Sequence, residues 1–461
     1  MQLLPQAVNC DSKLLRKYDR PLPRYTSYPP ATELREGEWV GDFRSAIAAG
    51  NTAKTPLSLY CHIPFCQSAC YFCGCNTIVT QSQAAPLVYL EYLTRQIEQV
   101  ASWVDHDRTV NQMHWGGGTP NYLTLGQVAS LWETLHRSFR FEPDAELSIE
   151  INPRYVDRDY ILGLRSLGFN RISFGIQDFN PQVQAAVNLI QPEAMLFDVM
   201  AWIKEAAFES VNVDLIYGLP FQRRETFIDT VKKTIQLNPD RIAVFNFAYM
   251  PEFIPVQKHI HPENLPLTSE KLDILQRTIA QLTEHDYLFI GMDHFAKPGD
   301  ELAIAQRQGQ LHRNFQGYTT QPDSDLLGFG ISAISMLQNL YVQNHKQLQS
   351  YYRAIDDDAL PLSKGVCLNQ DDLIRRALII ELMCQFRLNK REIEQKYSLN
   401  FDDYFKLEQS ALKALEADGL LRYFDDEIRV TPTGRLLIRN IAAVFDGYLK
   451  DQEPASFSRA I

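Results

Sequence analysis

Six short runs rich in β-branched and aromatic residues recur along the middle of the chain, at 57–61, 110–116, 146–152, 171–177, 210–216 and 241–247, and a seventh candidate lies near 288–294. Between them apolar residues return at helical spacing over 86–104, 124–140, 156–167, 191–206, 224–237 and 269–286. Strand and helix in strict alternation predict parallel strands joined by right-handed crossovers. Six such units predict an α/β fold, an open three-quarter (β/α)6 barrel of TIM-like form. In barrels of this kind ligand-binding groups gather at the C-terminal ends of the strands. No shorter repeat and no low-complexity segment interrupts the pattern.

The flanks read differently. Residues 1–52 are expected to form an extended arm packed on the surface, because Asp19 to Pro30 carries four prolines in twelve residues, which forbid a regular helix there. The barrel is expected over 53–300 and a connecting segment over 301–365. A second domain, 366–461, is predicted to be mainly helical. Its helices are expected at 371–386 and 405–418, with a two-stranded wing over 421–430 turning at Asp425-Asp426 and one closing helix over 433–449. That outline is winged-helix-like. From residue 369 onward it carries 14 basic against 16 acidic residues, so a lid or scaffold is favoured over a DNA reader.

Composition sharpens the picture only a little. With 461 residues, the chain exceeds the size at which a single core keeps growing, in line with a large domain and a satellite. A net charge of −11 argues against nucleic-acid and anionic-membrane partners. No apolar run of roughly 18 residues appears, so no membrane span is expected. The first residues lack a basic stretch followed by an apolar core, and a reducing, cytoplasmic location is expected.

The chemistry is concentrated in residues 60–76, which hold five of the eight cysteines. Cys66, Cys70 and Cys73 are separated by three and then two residues, so one loop can turn three thiolates toward one 4Fe-4S cluster. Four protein thiolates would close such a cluster and leave it moving electrons. Three leave one iron open to chelation by an amine and a carboxylate, as offered by the methionine end of S-adenosylmethionine. An electron passed into the sulfonium would release a 5′-deoxyadenosyl radical, chemistry that belongs to the cofactor and is positioned by the protein. A zinc site would call for a second pair of ligands, whereas Cys10, Cys367 and Cys384 are scattered singly, and Cys367 and Cys384 read as ordinary buried thiols. Disulfides suit small secreted chains.

Other candidates fall at the ends of the predicted strands. Gly116-Gly117-Gly118-Thr119-Pro120 follows the second and exposes backbone amides at close range, suited to the amino-acid end of the cofactor. Glu150 ends the third among isoleucines and is placed to accept ribose hydroxyls. Gln177 and Asp214 are polar positions within otherwise apolar strands, and a buried Asp needs a partner. A basic group of Lys297, His312 and Arg313 is a candidate to meet carboxylates, and Arg24 and its neighbouring tyrosines would join it only if the arm lies near the substrate cleft. His294 reads as a structural histidine.

The Tyr60-x-His-Ile-Pro-Phe-Cys66 lead-in, the Cys73-Gly-Cys75-Asn76 ending, the Pro-Arg-Tyr-Thr-Ser-Tyr-Pro string of the arm, and the stretches 291–298 and 311–320 resemble radical S-adenosylmethionine enzymes, and among them the oxygen-independent coproporphyrinogen III oxidases. The likeness runs almost end to end. It implies oxidative decarboxylation of two propionates of coproporphyrinogen III to vinyl groups, giving protoporphyrinogen IX. It further implies a monomer, a reductant for the cluster, and two S-adenosylmethionine molecules. Tyr60, Gly117, Glu150 and Ile334 are the implied contacts of the first molecule; Phe72, Gly118, Thr119, Gln177, Asp214 and Ala248 are those of the second. Catalytic roles are implied for Tyr60 and Cys75, and the segment 301–365 is implied to complete the active site. The chain departs from the family pattern at Leu189, where the family has Arg, and at Tyr249, where close relatives have His. A haem-binding chaperone without oxidase activity and a radical methyltransferase that opens the haem ring are the alternatives, separable by haem titration and by the mass of the products.

Overall fold

The computed structural model describes residues 12–449 and 457–459. Cys10, one of the three scattered cysteines, lies outside them. Six strands, Leu57–Ile63, Thr109–Gly117, Arg140–Ile151, Arg171–Gln177, Ser210–Tyr217 and Arg241–Asn246, pair in parallel in that order. Helices Ala84–Ala101, Leu125–Ser138, Arg158–Leu167, Glu193–Glu205 and Arg224–Leu237 cross between them, and Thr268–Thr283 follows the sixth strand. Local chemistry sets their starts. Thr124 and Gln127 form a reciprocal capping box, and the Asp157 carboxylate accepts the Tyr160 N–H at 2.8 Å. Along the fourth strand Ile172, Phe174 and Ile176 are buried in the main core, while the alternate positions Ser173, Gly175 and Gln177 line the cavity described below.

The sheet continues past both ends of this run. A seventh parallel strand does exist, but it is Asp325–Phe329, laid beside the first strand with Gly328 opposite Tyr60. The candidate near 288–294 is instead an antiparallel hairpin, Leu288–Gly291 with His294–Ala296, attached to the outer edge of the sixth strand. Its two strands lie only two residues apart, too close for the helical crossover that parallel pairing needs. On the other edge Ile334–Leu337, Leu340–Asn344 and Leu362–Cys367 continue the sheet antiparallel, ending at Arg35–Glu36. The thirteen strands form one open sheet. Much of the connecting segment is therefore barrel wall.

A buried ion pair fastens the seam. Arg108, just before the second strand, donates to Asp325 at 2.6 Å, to the Thr55 carbonyl at 2.7 Å and to Asn51 at 3.2 Å. Gly50 makes room, since a Cβ there would lie 2.5 Å from Asp325 Oδ2.

The arm differs from expectation in two respects. Ser12–Tyr18 and Val40–Ala53 are helices. The proline-rich stretch is irregular as its prolines require, but it is not superficial: Leu22, Tyr25 and Tyr28 are buried in the core of the second domain. Tyr25 donates to Asp446 at 2.9 Å, Tyr28 accepts the Gly447 N–H at 3.0 Å, and Tyr341 of the barrel sheet donates to the Tyr28 carbonyl at 2.9 Å.

The second domain holds Gln370–Gln385, Lys390–Tyr397 and Gln409–Ala417 as its longer helices. The expected wing gains a third strand, Arg387–Asn389, beside Glu427–Val430. The helix expected from 405 begins at Gln409, after the separate short turn Phe401–Tyr404. The expected closing helix is broken into Pro432–Leu436, Ile438–Ala442 and a 3-10 turn. Gly434 is pressed against the preceding turn so closely that a Cβ would meet the Leu420 carbonyl oxygen at 1.9 Å, and the backbone leaves helical geometry at Leu437. Cys384 is buried as expected, but Cys367, at the end of the strand Leu362–Cys367, is exposed.

Candidate active site

The cysteine loop leaves the first strand at Ile63 and is closed on itself by a two-residue parallel bridge, Phe65–Cys66 with Ile78–Val79. His62 locks it from below. The Tyr60 hydroxyl meets His62 Nδ1 at 3.1 Å and His62 Nε2 meets the Asn76 carbonyl at 2.9 Å. A carbonyl only accepts, so Nε2 carries the proton and Tyr60 donates to Nδ1. Burial lowers the pKa of this imidazole, in keeping with a neutral ring. From the far side the Val187 carbonyl accepts the Tyr71 N–H at 3.0 Å and Asn188 donates to the Ala69 carbonyl at 2.7 Å. Gln257, buried, donates to both the Ala248 and the Phe72 carbonyls, at 3.1 and 3.4 Å.

Cys66, Cys70 and Cys73 face a cavity of about 510 Å³ at the C-terminal ends of the strands. Their surroundings are uneven. Burial pushes the Cys66 and Cys70 thiols up, Cys70 to about 12, although the Arg154 charge works against this at both. The Cys75 thiol donates to Cys73 and, outweighing burial, brings that sulfur down to about 7. Cys75 is itself exposed at the cavity wall.

Gly117, Gly118, Thr119 and Glu150 form the adjoining wall, Gln177, Leu189 and Asp214 line the cavity beyond, and Phe72, Phe253, Ile254 and Val79 also line it. The glycines are required by space. A Cβ on Gly118 would lie 2.5 Å from the Pro64 carbonyl oxygen, one on Gly116 3.1 Å from the Glu150 carboxyl carbon, and Gly117 has φ +112°. Burial opposes ionisation of Glu150, but the hydrogen bond from His114 at 3.2 Å, the His114 charge and the Gly117 N–H outweigh it and hold the carboxyl below its ordinary value. His114 is in turn held by Ser148 at 2.6 Å and stacks on the Tyr60 ring. Burial raises Asp214 to about 7, against the Asn212 hydrogen bond and helped by the Glu150 charge.

Three of the anticipated residues do not line the cavity: Tyr60, Ala248 and Ile334. Tyr60 and Ile334 are nonetheless close together, since a Cβ on Gly328, the register partner of Tyr60, would lie 2.7 Å from the Ile334 carbonyl oxygen. The anticipated basic group of Lys297, His312 and Arg313 does not assemble. Lys297 lies by Asp240 and the Asn238 carbonyl, ahead of the sixth strand and so on the opposite face of the barrel from the cysteines. His312 is held neutral, burial bringing it to about 4, and Arg313 is buried with its guanidinium 4.6 Å from the Tyr318 ring centre. Burial likewise takes His294 to about 3, and its Nδ1 has no partner among the described residues.

This architecture is matched by known proteins. The Radical SAM superfamily model matches residues 60–234, and the HemN C-terminal domain model matches residues 368–437. An oxygen-independent coproporphyrinogen III oxidase of Synechocystis is 64% identical over 98% of both chains. The chain belongs to that family. A namesake from Escherichia coli K12 is 49% identical over 99% of each chain. The solved structure described as "Coproporphyrinogen III oxidase (HemN) from Escherichia coli is a Radical SAM enzyme" superposes with a TM-score of 0.92, covering 96% of this chain and all of that one. As an oxygen-independent coproporphyrinogen III oxidase the chain is a radical S-adenosylmethionine oxidoreductase, and its cofactors are a 4Fe-4S cluster and S-adenosylmethionine.

The residues present fit those cofactors. Three thiols converge on one cavity, and beside them stand a glycine wall without room for side chains and an ionised Glu150. They fit a second S-adenosylmethionine less well. Among the described residues no Lys, Arg or His lines the cavity, so a second amino-acid carboxylate finds no cationic partner; Leu189 is buried in an apolar cluster with Val187, Ile216 and Leu219.

Proposed function

We propose that this chain carries out oxygen-independent oxidative decarboxylation of coproporphyrinogen III to protoporphyrinogen IX. It would act as a monomer in the cytoplasm, with Cys66, Cys70 and Cys73 as cluster ligands. The observation that carries this reading is the meeting of those three thiols with Glu150 and the glycine wall in one cavity, at the barrel end where catalytic groups collect. Among the described residues no helix is long and apolar enough to cross a membrane.

When bound and reduced, the cluster and S-adenosylmethionine supply a 5′-deoxyadenosyl radical able to take hydrogen from the β-carbon of a propionate. The protein's own part is positioning. Glu150, kept ionised by His114, accepts hydroxyl hydrogen bonds, and Gly117 and Gly118 let the backbone approach closely. Tyr60, stacked on His114 and bonded to His62, braces both the Glu150 side and the cysteine loop. Cys75 acts on the ligand set through Cys73. Because two carboxyls and no cations line the cavity, the propionates awaiting reaction are held outside it.

Anaerobic turnover of the reduced, reconstituted protein with S-adenosylmethionine and coproporphyrinogen III tests the reading. Porphyrins and 5′-deoxyadenosine are quantified together. Protoporphyrinogen with matching deoxyadenosine is expected, and deoxyadenosine with unchanged porphyrin would remove the substrate assignment while leaving the radical site standing.

A further inference from the structure

The cysteine loop has a second face. Its inner side lines the cavity, whose mouth the substrate needs, so electrons for the cluster have to arrive by another route. Of residues 67–72 only Gln67 and Tyr71 stay clear of the cavity, Gln67 exposed and Tyr71 half-buried. Arg154 reaches Ser68 at 3.4 Å, Asn188 holds the Ala69 carbonyl, and the His259 ring stacks on Tyr71 with centroids 4.7 Å apart. Tyr71 is the residue next to the ligand Cys70. Gln67, Asn188, Ile190, Lys258 and His259 are all exposed, Ile190 at 54%. Lys258 and His259 end the short 3-10 helix Pro255–His259, whose first residues Pro255 and Val256 line the cavity. The outer face and the cavity are thus two sides of one thin wall.

The chain carries −11 overall. None of the groups that fasten the outer face is a carboxylate, and neither Arg154 nor Lys258 forms an ion pair among the described residues. Two cations without an ion pair among the described residues, Arg154 and Lys258, thus stand at this face beside an apolar residue and a stacked ring pair.

We propose that this face is the docking surface for the reductant, a small acidic protein that delivers one electron at a time. The inference rests on the radical-enzyme reading above. A patch of this size suits a brief, weak encounter of the electron-transfer kind, in which opposite charge raises the association rate more than the affinity. His259 and Tyr71 then place the carrier against the residue adjoining Cys70, and the substrate keeps the cavity mouth.

The test compares two reductants, dithionite and a reduced acidic 2Fe-2S ferredoxin, by the initial rate of 5′-deoxyadenosine formation in the reconstituted full-length protein. Lys258→Glu should slow the ferredoxin-driven rate roughly tenfold at low ionic strength, with the deficit shrinking at high salt. The dithionite-driven rate should not change. Lys406→Glu, the same charge change at an exposed position of the second domain, should alter neither. A ferredoxin-driven rate unaffected by Lys258→Glu, an equal loss with both reductants, or a wild-type protein that accepts dithionite but not ferredoxin would each overturn the docking surface. Absence of deoxyadenosine from wild-type protein with dithionite would instead bring down the radical-enzyme reading, and the docking surface with it.

Discussion

Leu189 is 4% exposed and its side chain belongs to the apolar cluster behind the cysteine loop. With no cation lining the cavity, equilibrium dialysis of the reconstituted protein should saturate at one S-adenosylmethionine per chain. Saturation at two would mean that the second carboxylate is held by backbone groups alone. Asp214 gives a pH signature. Its carboxyl titrates near 7 in the folded protein against an ordinary value of 3.8. Between those values the folded chain keeps a proton that the unfolded chain gives up, so this group's contribution to stability declines as pH rises from about 4 through about 7. Asp214→Asn should therefore gain in melting temperature relative to wild type on going from pH 5 to pH 8, and a difference unchanged with pH would refute the burial argument. The cysteines, the glycine wall, Glu150, Gln177 and Asp214 were legible in the sequence because they stand in a dense motif or at a strand end. Gln257 and Asn188 were not, since each works by reaching one loop from another and such contacts leave no spacing to read.

Among the elements, the six barrel strands and their helices followed from periodicity, because each buries a stripe or a face that must repeat. The seventh strand did not: Asp325–Phe329 is five buried residues whose place beside the first strand depends on a long excursion. What secures it is the Arg108–Asp325 pair, with side-chain exposures of 0% and 2%. Arg108→Met should destabilise the protein by about 3–5 kcal/mol, because it leaves Asp325 charged and uncompensated in the core. Adding Asp325→Leu should recover much of that loss in the same urea melt. A single variant as stable as wild type would show that the seam is held by apolar packing alone.

In the whole molecule the winged-helix outline was readable in the second domain, while its role as a clasp was not. Arg439, 5% exposed, donates to the carbonyls of Leu22 and Pro23 from the arm and to those of Ser458 and Arg459 from the chain's other end. Composition predicted a surface arm because prolines and arginines usually stay outside; here the tyrosines and this one guanidinium override them. Arg439→Leu should free both ends at once. Hydrogen exchange should rise sharply over residues 19–30 while the barrel strands stay protected, and unchanged protection of the arm would assign the clasp to Tyr25 and Tyr28 instead.

The clasp also has a consequence in time. Leu22 and Arg439 are 417 positions apart. At roughly 5–20 residues per second of synthesis, the arm leaves the ribosome roughly 20–80 s before its partner exists. For roughly the first three-quarters of that interval the cysteine loop, itself made early, belongs to a barrel whose seventh strand, Asp325–Phe329, has yet to be made. The nascent chain thus passes through a long open phase, and the arm is fastened only once Arg439 has been made.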